Sequence, residues 1–173
     1  MSDEIYPYTF TAPIEKFGVG KTRKVWYNVL FLPQELRDEL PFGKYPRLRV
    51  EGEIAEFPIQ NAFIPAGNGR NYVIVSPGVM KAADLGLGDV VAMRFVIADQ
   101  DFVDVPEALE FAIGLDKDRE LHWENLTPGK KRMLAQHVRS AKTDDTRQKR
   151  VEEAMAALVG FAGDINAWRK ASR

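Results

Sequence analysis

The chain has 173 residues, 45% of them apolar and 28% charged, with a formal net charge of -1. That composition supports a buried core and provides no global field toward DNA or an anionic membrane. No cysteine is present, which excludes disulfides, thiolate nucleophiles and sulfur-ligated zinc.

The opening MSDEIYPYTF has neither the basic nor the apolar part of a secretory leader. No apolar run approaches the roughly 20 residues of a membrane span. A cytoplasmic protein without membrane insertion is expected. Up to about Asp101 the chain reads as strands. Val25–Leu32 (VWYNVLFL) is β-branched and aromatic; in RLRVEGEI, Leu48 and Val50 alternate with Arg47, Arg49 and Glu51; NYVIV and VVAMRFVI complete the set, each bounded by Pro or Gly.

LFLPQELRDELPFG and IVSPGVMKAADLGLG share the order strand, Pro, short helix, Gly, with Pro33 matching Pro77 and Gly43 matching Gly88. Each Pro suits a helix's first turn, and each Gly is expected to provide a left-handed exit. Neither unit buries its apolar face alone, so two copies should interlock as a small pseudo-symmetric closed barrel. Two glycine motifs lie in this half. GVGKT (Gly18–Thr22) lacks the earlier glycine of a phosphate loop, Glu15 standing there, and a strand rather than a helix follows; it reads as a solvated β-turn. GNGR (Gly67–Arg70) reads as a hairpin tip, with Asn61, Arg70 and Tyr72 as candidate ligand contacts at a barrel mouth.

DFVDVPEA is the hinge to a helical half, giving domains at 1–101 and 104–173, an α+β chain. Helices are expected at roughly 105–113, 116–125, 128–142, 144–159 and 164–170. Thr127-Pro128 and Thr143-Asp144-Asp145 are helix starts, a capping hydroxyl followed by Pro or by acids at a positive helix end. SAKTDDT is therefore a tight turn between antiparallel helices.

His137 to Arg150 (HVRSAKTDDTRQKR) is the densest basic stretch. Lys130–Arg150 carries eight basic and two acidic residues, net +6, but Asp104–Glu124 carries seven acidic and two basic, net -5. Packed together they largely neutralise, and no aromatic residue interleaves with the basic ones, so a nucleic-acid stripe is disfavoured. Arg132 and Arg139 fall opposite Leu134, Val138 and Ala141 and read as solvated. Arg147 shares the apolar stripe of Val151, Ala154, Met155 and Leu158, where its guanidinium needs a carboxylate or carbonyl partner. It reads as a structural anchor, with ligand contact as the alternative. His122 and His137 have no metal-ligand partner at helical spacing, and no Ser-His-Asp set stands out. No cofactor, metal or catalytic residue is expected.

The set Ser140-Ala141-Lys142, Thr146-Arg147, Arg150-Val151, preceded by DVPEALEFAI and ENLTPGKKR, resembles the signature helix pair of the YdeI/OmpD-associated, bacteriocin-protection family. It departs from the usual pattern at Asp144, Asp145, Gly129 and Lys130. VSPGVMKAADLGLGDVV and FPIQNAFIPAGNGRNYVIV resemble the barrel of domain of unknown function nineteen-oh-five. The resemblance implies a bacterial-type protein with a split barrel like that of AbrB/MazE proteins and a helical appendage. It also implies an uncharacterised, non-enzymatic binding module linked to antimicrobial-peptide protection or stress, with an unidentified protein or small ligand as partner. Lys142, Thr146, Arg147 and Arg150 are the candidate contacts. The alternatives are a DNA- or RNA-binding regulator, by analogy of fold alone, and a small-ligand protein or enzyme at the barrel mouth.

Overall fold

The computed structural model describes residues 5–173; the first four residues, part of the stretch read as lacking a leader, lie outside that range. The chain divides into two compact units, 1–100 and 101–173.

The first unit runs β1 (Tyr8–Pro13), β2 (Glu15–Val19), β3 (Val25–Phe31), α1 (Gln34–Glu39), β4 (Leu48–Ile54), β5 (Phe57–Pro65), β6 (Asn71–Ile74), α2 (Pro77–Ala82) and β7 (Val90–Ile97). The strands form one curled antiparallel sheet in the order β1-β7-β4-β5-β6-β3-β2. Its two edge strands are consecutive in the chain, separated only by Ile14. That residue's N–H donates to Asp89 O at 2.9 Å, and its carbonyl accepts from Gly88 N at 2.8 Å. The segment from Tyr8 to Val19 thus pairs with β7 through its first part and β3 through its second. β5 does the same between β4 and β6. The strand–Pro–helix–strand unit stands at both expected places, and β3 pairs with β6 as β4 pairs with β7. An α+β fold follows.

Strand alternation fills one face with Phe10, Leu48, Val50, Phe63, Met93 and Phe95. Phe63 is the hub, with ring centroids 5.1 Å from Phe95 and 6.3 Å from both Phe10 and Phe42. A smaller cluster groups Val29, Phe31 and Tyr72 with Phe17.

Three strands depart from the sequence reading. β1 and β2 were not expected, and β5 was implied only as the strand before the GNGR hairpin tip; Pro13, Pro58 and Pro65 sit within them near strand ends, where a missing N–H is tolerated. The two glycine exits also differ. Gly88 is left-handed, with φ 87°, but Gly43 has no positive φ. After α1 the chain turns because Lys44 N and Tyr45 N both bond to Pro41 O, which requires no left-handed residue.

The second unit contains α3 (Glu107–Gly114), α4 (Lys117–Glu124), α5 (Pro128–Arg139), α6 (Asp144–Gly160) and α7 (Ile165–Ala171). Leu109, Leu134, Val138, Ala154 and Leu158 form the buried centre of this unit. Thr127 Oγ1 accepts from Lys130 N at 3.4 Å and Thr143 Oγ1 from Thr146 N at 3.2 Å, the two caps expected. α5 ends three residues before the expected 142, because Thr143 must be extended (φ -124°, ψ 159°) to cap α6. Among the described residues no helix is long and apolar enough to cross a membrane.

Candidate functional site

The turn from Ser140 to Thr143 reverses the chain, so α6 runs back along α5 and the last turn of one helix faces the first turns of the other. Arg150 uses this geometry. Its guanidinium donates to Ser140 Oγ at 2.5 Å and to His137 O at 3.2 Å. The His137 carbonyl is one of the orphan acceptors at the C-terminus of α5, where a cation is favoured by the helix dipole.

His137 itself is buried, at 9% exposure. Its Nε2 lies 2.7 Å from Glu153 Oε2 on α6, and its Nδ1 lies 2.9 Å from Arg169 on α7. A guanidinium only donates, so Nδ1 is the accepting nitrogen and Nε2 carries the proton given to Glu153. Both ring nitrogens are engaged. α7 is held in place by Asp164, whose Oδ1 accepts from Asn166 N at 3.0 Å and Ala167 N at 2.9 Å.

His137, Ser140, Arg150 and Arg169 line an open groove of about 460 Å³ between α5, α6 and α7, with Met133 and Ile165 as its apolar lining. The bonds of the two arginines go to neutral acceptors: Ser140 Oγ, His137 O, His137 Nδ1, and Asn166 Oδ1 at 3.5 Å. Among the described residues neither has a carboxylate within ion-pair distance. A larger cavity of about 650 Å³, beside α3, α4 and α6, is lined by Phe111, Leu115 and Met155 with a mixed charged rim. Its Arg119 is tied to Ala112 O at 3.1 Å.

The other candidates are placed as follows. Arg147 meets a carboxylate on its own helix, Asp144 Oδ1 at 2.5 Å. Thr146 Oγ1 accepts from the Thr143 hydroxyl at 2.8 Å. Lys142 is exposed in the turn. Arg132 and Arg139, read as solvated, also bond at the surface to backbone carbonyls, Phe102 O at 3.1 Å and Asp104 O respectively. Arg139 also pairs with the Asp104 carboxylate at 3.4 Å, one link between the acidic and basic segments.

Asn61, Arg70 and Tyr72 each make contacts within the sheet. Asn61 donates to Ile74 O at 2.8 Å and accepts from Ala62 N, a strand-to-strand tie. Arg70 lies over the Phe31 ring at 4.0 Å, and Tyr72 packs between Phe17 and Phe31. Burial pushes the Tyr72 hydroxyl above its ordinary value near 10, against the lowering effect of Arg47. GNGR is a hairpin tip, closed by Ala66 N to Arg70 O at 2.8 Å. Among the described residues no His, Asp and Glu cluster could hold a metal.

Sequence reasoning missed His137, Glu153 and Arg169. The available signal was the turn at Ser140–Thr143, which folds residue 137 back opposite the start of α6; Arg169 on α7 carried no comparable mark.

Residues 103–159 match the family described as bacteriocin-protection, YdeI or OmpD-associated. Residues 10–95 match the domain of unknown function DUF1905. No curated protein and no solved structure matches the chain. The Arg150 clamp, His137 and Glu153 all fall within the first of these matches, and nearly all of the curled sheet within the second: the chain joins a DUF1905 domain to a helical segment that matches the YdeI/OmpD-associated family.

Proposed function

We propose that the protein is a cytoplasmic binding module, working without covalent chemistry, that recognises an anionic group in the groove between α5, α6 and α7. One observation carries this reading: Arg150 and Arg169 line the same groove, and among the described residues neither has a carboxylate within ion-pair distance. A guanidinium has more N–H donors than these bonds consume, and its planar fork suits a carboxylate or phosphate. The engaged state of His137 supports binding over catalysis, since neither ring nitrogen is left to take a substrate proton. Lys142, beside the turn, adds a further exposed cation.

The family description links such domains to bacteriocin protection; recognition of an anionic partner is the route proposed here. The doubled strand–Pro–helix–strand unit and its exchanged pairing support an AbrB/MazE-like split barrel for the first unit.

Calorimetric titration with inorganic phosphate and with citrate tests the site. Arg150→Gln and Arg169→Gln are each expected to weaken binding by about tenfold or more, the scale of one charged hydrogen bond. Absence of binding by the wild type, or binding by both variants as tight as the wild type's, would overturn the anion site. Unchanged tolerance to cationic peptides in a deletion strain would sink the protective role.

A further inference from the structure

The β2–β3 hairpin is unlike the rest of the first unit. Residues 16–26, KFGVGKTRKVW, hold four basic residues and no acid. Lys16, Lys21, Arg23 and Lys24 are all exposed, and among the described residues none forms an ion pair. Trp26 stands among them with 57% of its surface open, although large aromatic side chains are usually mostly covered.

The register explains how Trp26 is presented. Gly18 pairs with Trp26 and Lys16 with Asn28, and directly opposed residues share one face of a hairpin. A Cβ on Gly18 would stand 3.0 Å from the Trp26 six-membered ring. Glycine therefore lets the indole lie across the strand, supported from below rather than projecting as a wedge. The ammonium of Lys24, two residues away on the same face, sits 5.7 Å from the ring centroid. One face of the hairpin thus holds a supported aromatic surface bracketed by Lys16 and Lys24, with Lys21 and Arg23 at the tip.

We infer that this hairpin binds single-stranded nucleic acid, a base stacking on Trp26 while Lys16, Lys21, Arg23 and Lys24 contact phosphates. Stacking tolerates any base because each has a π-face, and a basic track along the backbone is its usual companion. A membrane surface shares the negative charge. Insertion there would put the tip residues Lys21, Arg23 and Lys24 first into the apolar layer, at high cost, so the nucleic acid is the better match. The local patch acts although the whole chain is nearly neutral, because screening at physiological salt confines its field to about 8 Å. This inference is independent of the groove at Arg150.

Fluorescence anisotropy of the full chain with a labelled oligothymidylate and a labelled oligouridylate, at low salt, tests it. Binding is expected, with log affinity falling against log salt at a slope of about -3 if the four cations each neutralise a phosphate on a single strand. Trp26→Ala should weaken binding about five- to hundredfold while leaving the slope unchanged. The combined Lys21→Gln, Arg23→Gln, Lys24→Gln variant should flatten the slope toward zero with Trp26 intact. Lys81→Gln, an exposed cation on α2 away from the hairpin and the groove, should match the wild type. Circular dichroism confirms that each variant is folded; the substituted hairpin side chains are all exposed. No binding at low salt, binding indifferent to both hairpin variants, or hairpin-dependent binding to phosphatidylserine vesicles without binding to the oligonucleotides would each overturn the inference.

Discussion

A Cβ placed on Gly52 would stand 1.9 Å from the Arg94 carbonyl oxygen, so β4 and β7 approach there more closely than any side chain permits. The neighbouring Phe95 Cα, 2.7 Å from the same point, is also backbone and cannot rotate aside. Gly52→Ala is therefore expected to destabilise the first unit by about 3 kcal/mol or more, as overpacking against fixed backbone does. Urea unfolding followed by near-ultraviolet signals of the sheet aromatics measures it; a cost within experimental error of zero contradicts the close approach.

The network around His137 predicts an order of effects. His137→Leu removes the acceptor of Arg169 and the donor of Glu153 together, leaving both polar groups short of partners, and should cost about 2 kcal/mol. Glu153→Gln keeps an acceptor oxygen for the Nε2 proton and should cost less, about 1 kcal/mol or below. Denaturant titration followed by helical signal compares them. A larger loss for Glu153→Gln would contradict the tautomer assigned by Arg169.

The two threonine caps should differ. Thr143 Oγ1 lies 3.2 Å from its N–H and Thr127 Oγ1 lies 3.4 Å from its own. Thr143 also starts a longer helix with Asp144 and Asp145 in the first turn. Thr143→Ala is expected to lose about 1 kcal/mol, and Thr127→Ala less, since Pro128 still starts α5. Thermal unfolding of the two variants side by side settles the order.

Tyr72 makes alkaline stability a readout of burial. Its hydroxyl is pushed above the ordinary value near 10, first by desolvation. The unfolded chain therefore loses this proton before the folded one does. The stabilisation is complete below about pH 10 and is lost as pH rises from there through the folded value. Tyr72→Phe should abolish that component, so the wild type's stability falls more steeply than the variant's above pH 10. Parallel slopes would show the phenol to be solvated.

Much of this was readable from residue pattern, and what was not has identifiable physical causes. Thr127, Thr143 and the Pro77 helix start are local devices, decided within a few residues, and they stand where expected. β1 alternates Phe10 and Ala12 inward against Thr9 and Thr11, a strand period that Pro7 and Pro13 obscured. β2 carries Lys16 and Gly18 where strand formers are usual, and only its pairing with β3 makes it a strand. The groove was half readable: the family resemblance named Arg150 among the candidate contacts. Its second arginine arrives on α7, and no periodicity relates Arg169 to His137, 32 residues earlier. Net charge hid the basic hairpin, because Lys21 to Lys24 are balanced over the chain by acids elsewhere.

The sheet's two edges belong to one stretch of chain, and this has a kinetic meaning. Tyr8 pairs with Phe95, so nearly the whole first unit must be present before β1 has its partner. Such distant pairings carry a large loop-closure entropy and slow folding, whereas the helical unit is built from neighbours in sequence. During synthesis β1 emerges early and waits with an unpaired strand edge until β7 follows, so this interval is the one in which the protein is most exposed to aggregation.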